Sequence, residues 1–177
     1  MSITRRLGAY AAHGDPLTAA CNRIALLVAS GQPTYPLYVW WIVGGPWQAA
    51  CWTFLSTPLF LSVPAAARRR GMAGRALLVV AGIANVVLSA KAFGVASGVA
   101  WFLVPTALIT LLALGRLIPL MVAVHLAAWL ALGHLGAPWG QFSAEQAAHF
   151  HRLNISSVAV LSAIIAWTLL SARRAVR

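Results

Sequence analysis

Negative charge is what this sequence has least of. Asp15 and Glu145 are its two acidic residues, against 13 Lys and Arg, and charged residues of either sign make up 8% of the 177. Soluble domains carry about 25%, so a soluble globular fold is excluded. The same scarcity removes most catalytic chemistry. No apolar segment holds a pair of carboxylates, and there is no Gly-rich phosphate loop, nucleophile elbow or CxxC pair, so the chain is expected not to be an enzyme. Cysteine is equally scarce: Cys21 and Cys51 are expected near opposite membrane faces, too far apart to bridge. The start of the chain, with Arg5 and Arg6, lacks the short apolar core and small-residue cleavage site of a removable signal peptide. Insertion is therefore expected to be directed by the spans themselves.

What is abundant is apolar surface: 61% hydrophobic residues, eight Trp and a mean hydropathy of +0.83. Segments 22–45, 48–64, 76–97, 99–115, 117–135 and 144–171 read as membrane spans. The expectation is an all-α polytopic protein, a single membrane domain folded as a six-transmembrane-helix bundle. A net charge of +11 in a soluble protein would suggest nucleic acid, but here the arginines have a simpler cause. With six spans, Arg5, Arg6, Arg23, Arg68, Arg69, Arg70, Arg75, Arg116, Arg173, Arg174 and Arg177 share one side, and only Lys91 and Arg152 fall elsewhere. The positive-inside rule then puts both termini in the cytoplasm; the chain is expected to lie in a bacterial inner membrane, with no nucleic acid as partner. Trp40, Trp41 and Trp47 suit the aromatic belt at the opposite interface.

The first span is interrupted by Gln32-Pro33-Thr34-Tyr35-Pro36. A proline inside a helix has no N–H to offer four residues back, so Pro33 releases the carbonyl of Ala29 and Pro36 that of Gln32. Measured from Arg23 the break lies about 14 to 20 Å deep, near the middle of a hydrocarbon layer about 30 Å thick. Acceptors released there must meet protein, trapped water or a ligand. Ser56, Thr57, Asn85, Thr106, His125 and Ser162 reach a similar depth on the other spans. Two readings follow: hydrogen bonding between helices with repair of the kink, or a small-molecule pocket with Gln32, Tyr35, Asn85, Thr106 and His125 as its binding residues. His125 is expected to be a neutral hydrogen-bonding group. Bis-histidine haem needs a second histidine at matching depth, and His13, His134, His149 and His151 lie near or beyond the interfaces, so no cofactor is expected.

Lys91, in the outer third of the third span, can extend its ammonium to the interface or pair with Glu145, the one carboxylate on that side. His134, Glu145, His149 and His151 also gather on the outer side and include zinc-ligand types, without a recognised spacing; an interfacial polar helix is the default. Ser143-Ala144-Glu145-Gln146 fits a capping box that opens the last helix.

Asn22-Arg23-Ile24-Ala25-Leu26, followed by Gly31-Gln32-Pro33 with Tyr35, Tyr38 and Trp40, resembles the six-helix membrane sensor domains of bacterial quorum-sensing histidine kinases that read α-hydroxyketone autoinducers. Related domains are attached to some class III adenylyl cyclases. The similarity extends to the basic loop between spans two and three and to the Leu153-Asn154-Ile155-Ser156-Ser157 entry to span six. It implies a small lipophilic ligand with a polar head. In that family the last span continues into an output domain, whereas this sequence ends at Arg177; the resemblance implies a receptor-like module acting through a membrane-protein partner or a second copy, or a membrane domain separated from its effector. Two other classes stand beside it. A small transporter or channel would show a through-pore and is disfavoured by the lack of acids and of matching broken segments in the two halves. An accessory subunit of a larger membrane complex would show a solid core.

Overall fold

The computed structural model describes residues 2–175; Met1, Val176 and Arg177 lie outside the described residues, so the last of the expected C-terminal arginines is not placed. The described chain is helical without strands. Helix α1 runs Ile3–Ala11 and α2 Pro16–Gly31, and between them Asp15 caps α2 by accepting the Thr18 N–H, with Pro16 pre-set for the first turn. The lead-in expected over residues 1–20 is thus a helix of its own followed by the first turn of α2.

The break in the leading segment is present. After α2 come α3, Thr34–Tyr38, and one π-helical turn, Val39–Val43, closed by left-handed Gly44 at φ 66°. The two carbonyls that the prolines release are not left open. Gln32 N–H reaches Ala29 O at 3.4 Å and Tyr35 N–H reaches Gln32 O at 3.3 Å, so the backbone repairs itself by tightening to i→i+3 bonds. The kink therefore shapes the helix without itself providing acceptors.

Short α4 (Trp47–Cys51), one 3-10 stretch (Trp52–Ser56) and α5 (Thr57–Arg69) form a continuous second segment. Its helix passes the expected stop at residue 64 with Pro64 inside it, because Arg68 and Arg69 at its C-terminal end complement the helix dipole and extended Arg70 makes the turn. The third, α6 (Gly71–Phe93), starts directly after that turn. Two short 3-10 turns lead to α7 (Leu103–Ala113), another to α8 (Ile118–Leu132), and α9 (Ala144–Arg174) closes the fold. The capping box is present: Ser143 Oγ accepts Gln146 N–H at 3.2 Å, and Gln146 Oε1 accepts Ser143 N–H at 2.9 Å.

Four helical segments, Trp47–Arg69, Gly71–Phe93, Gly115–Leu132 and Ala144–Arg174, are long and apolar enough to cross a membrane. Val99–Ala113 is apolar but shorter, and the leading segment is divided by its break. Helix α6 is the central post, with Leu78, Val79, Ala81 and Val86 among its fully buried side chains. Where α6 meets α7, Gly82 is needed for its size, since a Cβ there would lie 2.4 Å from Thr106 Cγ2. Helix α8 is peripheral and buries only Met121, Ala128 and Leu132.

The two ends are fastened differently. At the arginine-rich end, the Arg75 guanidinium is buried enough to organise three elements: it pairs with Asp15, donates to Thr18 Oγ1 at 2.9 Å and to Ala113 O at 3.1 Å. At the far end an aromatic cluster joins Tyr35, Tyr38, Phe93, Phe142 and Phe150, with Phe93 and Phe142 each 5.0 Å from Phe150. There Gln146 donates to Val43 O and Gly44 O, capping the π turn of the first segment from the start of α9.

Candidate functional site: a cleft between the first and last helices

Along one side of the bundle α9 and the broken leading segment face one another. They leave a cleft of about 720 Å³, within the roughly 300 to 1,000 Å³ usual for small-molecule sites. Its rim is apolar and exposed, with Leu27, Leu37, Trp41 and Ile42 on the first segment and Val160 and Ile164 on α9. Its floor is polar but uncharged, built from Gln32, Asn85 and Ser89, and no Asp, Glu, Lys, Arg or His is among the described residues lining it.

Three helices hold the floor. Gln32 Nε2 donates to Asn85 Oδ1 at 3.1 Å and to Ser56 Oγ at 3.4 Å, and Ser56 Oγ donates to Asn85 Oδ1 at 2.8 Å. The kink matters here, because Gln32 stands at the end of α2, where the helix changes to α3. The Gln32 side-chain oxygen Oε1 and the Asn85 side-chain nitrogen Nδ2 make no hydrogen bond to another described residue, while Gln32 Nε2 and Asn85 Oδ1 are bonded. One acceptor and one donor therefore remain available on a fixed scaffold.

Tyr35 also lines the cleft, but its hydroxyl is engaged: it donates to Asn154 Oδ1 at 2.6 Å, and Asn154 Nδ2 donates to Ser97 O at 2.8 Å. This chain of bonds clasps the first segment to α9 and to the turn after α6.

Thr106 and His125 belong to another cluster. His125 Nδ1 lies 2.7 Å from the Met121 carbonyl, which can only accept, so that nitrogen carries the proton. In the neutral ring Nε2 then accepts from Thr106 Oγ1, 3.0 Å away. The same hydroxyl lies 2.8 Å from Leu103 O, and its single proton serves one of the two at a time. Thr106 lines a separate void of about 40 Å³ that also touches Asn85, and His125 lines neither space.

The expectation that all five midplane residues share one interior space is therefore corrected. Gln32, Tyr35 and Asn85 come together at the cleft, Thr106 lies behind them, and His125 sits on the peripheral α8. The Lys91–Glu145 pair is corrected too. The Lys91 ammonium donates to Leu135 O and Ala137 O, both at 2.7 Å, and Arg75–Asp15 is the salt bridge found among the described residues. Two carbonyls of the loop before α9 give the ammonium what a carboxylate would have given. His134, Glu145, His149 and His151 form no metal-holding group among the described residues. Sequence reasoning missed Asn154, which is fully buried. Its signal is an amide one helical turn before Val158, within the Leu153-Asn154-Ile155-Ser156-Ser157 entry to the last span.

Comparison with known proteins finds no match among family models, curated proteins or solved structures.

Proposed function

We propose that the chain is a six-span, receptor-like module of the bacterial inner membrane, with both termini in the cytoplasm, which takes a small amphiphile into the cleft between its first and last spans. Occupancy changes how α9 packs on the broken leading segment, and a membrane-protein partner or a second copy of the chain receives that change. One observation carries the reading: a cleft of about 720 Å³ with an apolar rim and an uncharged polar floor that presents an unpaired amide oxygen and an unpaired amide nitrogen. A charged head group would lose its hydration there without a counter-charge, so the preferred head is neutral. Helix α9, 31 residues long, spans about 45 Å and links the cleft wall to the arginine-rich end.

The test is purification with native lipid, solvent extraction and mass spectrometry of what is released, for the wild type, Gln32→Leu/Asn85→Leu and His125→Leu. A discrete amphiphile is expected with the wild type and with His125→Leu, whose side chain is outside the cleft, and should be lost from the double variant. Equal retention by all three proteins would refute the reading.

A further inference from the structure

A second site, independent of the cleft, lies at the arginine-rich end around Tyr10. Helix α1 is amphipathic, and a contact of Tyr10 orients it. Ile3, Leu7 and Tyr10 fall on one stripe, at i, i+4 and i+7. Tyr10 sets the roll of that stripe, because its hydroxyl donates to Leu61 O at 2.8 Å, two turns up α5 from the basic loop. Ile3 and Leu7 on the same stripe are 76% and 48% exposed, so no described residue covers that part of the face.

Positive charge is concentrated around the same tyrosine. The Arg68 guanidinium stacks 4.9 Å from the Tyr10 ring centroid and reaches Tyr10 O at 3.4 Å. Arg6 is one turn before Tyr10, at the i,i+4 spacing that places side chains side by side. Arg69 and Arg70 follow in the adjoining turn, both exposed. No acidic side chain among the described residues stands with these exposed arginines: Asp15 is engaged by Arg75, and Glu145 opens α9 at the opposite end of the bundle. An anion arriving from outside would meet these arginines beside an exposed apolar stripe.

We propose that α1 and the start of the α5–α6 turn form a binding site for an anionic phospholipid, its phosphate between Arg6 and Arg68 and its acyl chains against Ile3 and Leu7. The arginines provide the planar, multi-donor geometry that phosphate oxygens accept, and Tyr10 holds Arg68 in place.

The full-length protein in a neutral detergent is titrated with phosphatidylglycerol or with phosphatidylcholine of the same acyl chains, and bound lipid is counted by native mass spectrometry. Phosphatidylglycerol should be preferred, and Arg6→Gln and Arg68→Gln should each weaken it about fivefold. Arg173→Gln/Arg174→Gln, which removes charge from the same end but on α9, should leave the preference intact. Arg68→Lys keeps the charge and should retain part of the affinity, which separates loss of binding from loss of folding. The proposal is overturned if the two lipids bind alike, if the Arg173/Arg174 variant loses as much as the Arg6 and Arg68 variants, or if glycerol phosphate without acyl chains competes at equal concentration.

Discussion

Replacing Asn154 by leucine tests the clasp between the first segment and α9. Asn154 is 0% exposed; its Oδ1 accepts the Tyr35 hydroxyl at 2.6 Å and its Nδ2 donates to Ser97 O at 2.8 Å. Leucine of similar volume removes both bonds and leaves a hydroxyl and a carbonyl without partners. By the aqueous scale an orphaned buried group costs about 1 to 3 kcal/mol, which would give a loss of several kcal/mol. Within a membrane the unfolded chain also finds partners, and measured interhelical bonds average about 0.6 kcal/mol with a maximum near 1.7. The membrane figure applies here, so Asn154→Leu should cost about 2 kcal/mol and Tyr35→Phe about 1. In the double variant the tyrosine hydroxyl is gone, so its orphan penalty disappears and the loss should fall short of the sum of the singles by about 1 kcal/mol. Reversible unfolding of the four proteins in mixed micelles measures the cycle. Strictly additive single losses, or an Asn154→Leu protein as stable as the wild type, would refute the clasp.

Three further outcomes follow from particular contacts. Gly82→Ala places a methyl group 2.4 Å from Thr106 Cγ2 and should cost about 1 to 3 kcal/mol, with Thr106→Ser, which removes that carbon, restoring most of the loss in thermal unfolding. Burial works to raise the Asp15 carboxyl, but the Thr18 hydrogen bonds and the Arg75 charge outweigh it and hold it below the usual range. A lowered carboxylate pKa adds stability above the unfolded value of about 3.9 that is lost as pH falls through the folded one; Asp15→Asn should cost a pH-independent amount near neutrality, modest because the carboxylate is partly exposed, and the gap should close below about pH 4. A persistent gap in acid would argue against the Asp15–Arg75 pair as its source. Cys21 is 0% exposed and Cys51 only partly buried, so a small maleimide should label Cys51 first in the native protein and both after denaturation. Labelling with a membrane-impermeant reagent added to one side of sealed vesicles also tests the proposed orientation.

The helical, membrane-crossing character of the chain was legible in the sequence because it depends on local quantities. Runs of apolar residues need backbone bonds made within the run, and the near absence of acids leaves no alternative environment. The break at Gln32-Pro33 was equally local, since proline removes a donor wherever it stands, and so was the Ser143 capping box, whose partners are three residues apart. Which polar groups meet was decided by tertiary structure alone. Depth along a helix is a single coordinate, and Gln32, Asn85, Thr106 and His125 agree in it, but the direction around each helix axis separates them. Gln32 and Asn85 face each other across α2 and α6, while His125 faces Thr106 from a peripheral helix. Lys91 found two loop carbonyls instead of Glu145, and Asn154 became the partner of Tyr35, because bonds between residues 44 and 119 positions apart depend on how the helices turn toward one another. The cleft follows from the same cause: it is the space left where a helix bent at Gln32 and a 31-residue helix without such a break cannot stay in contact along their whole length.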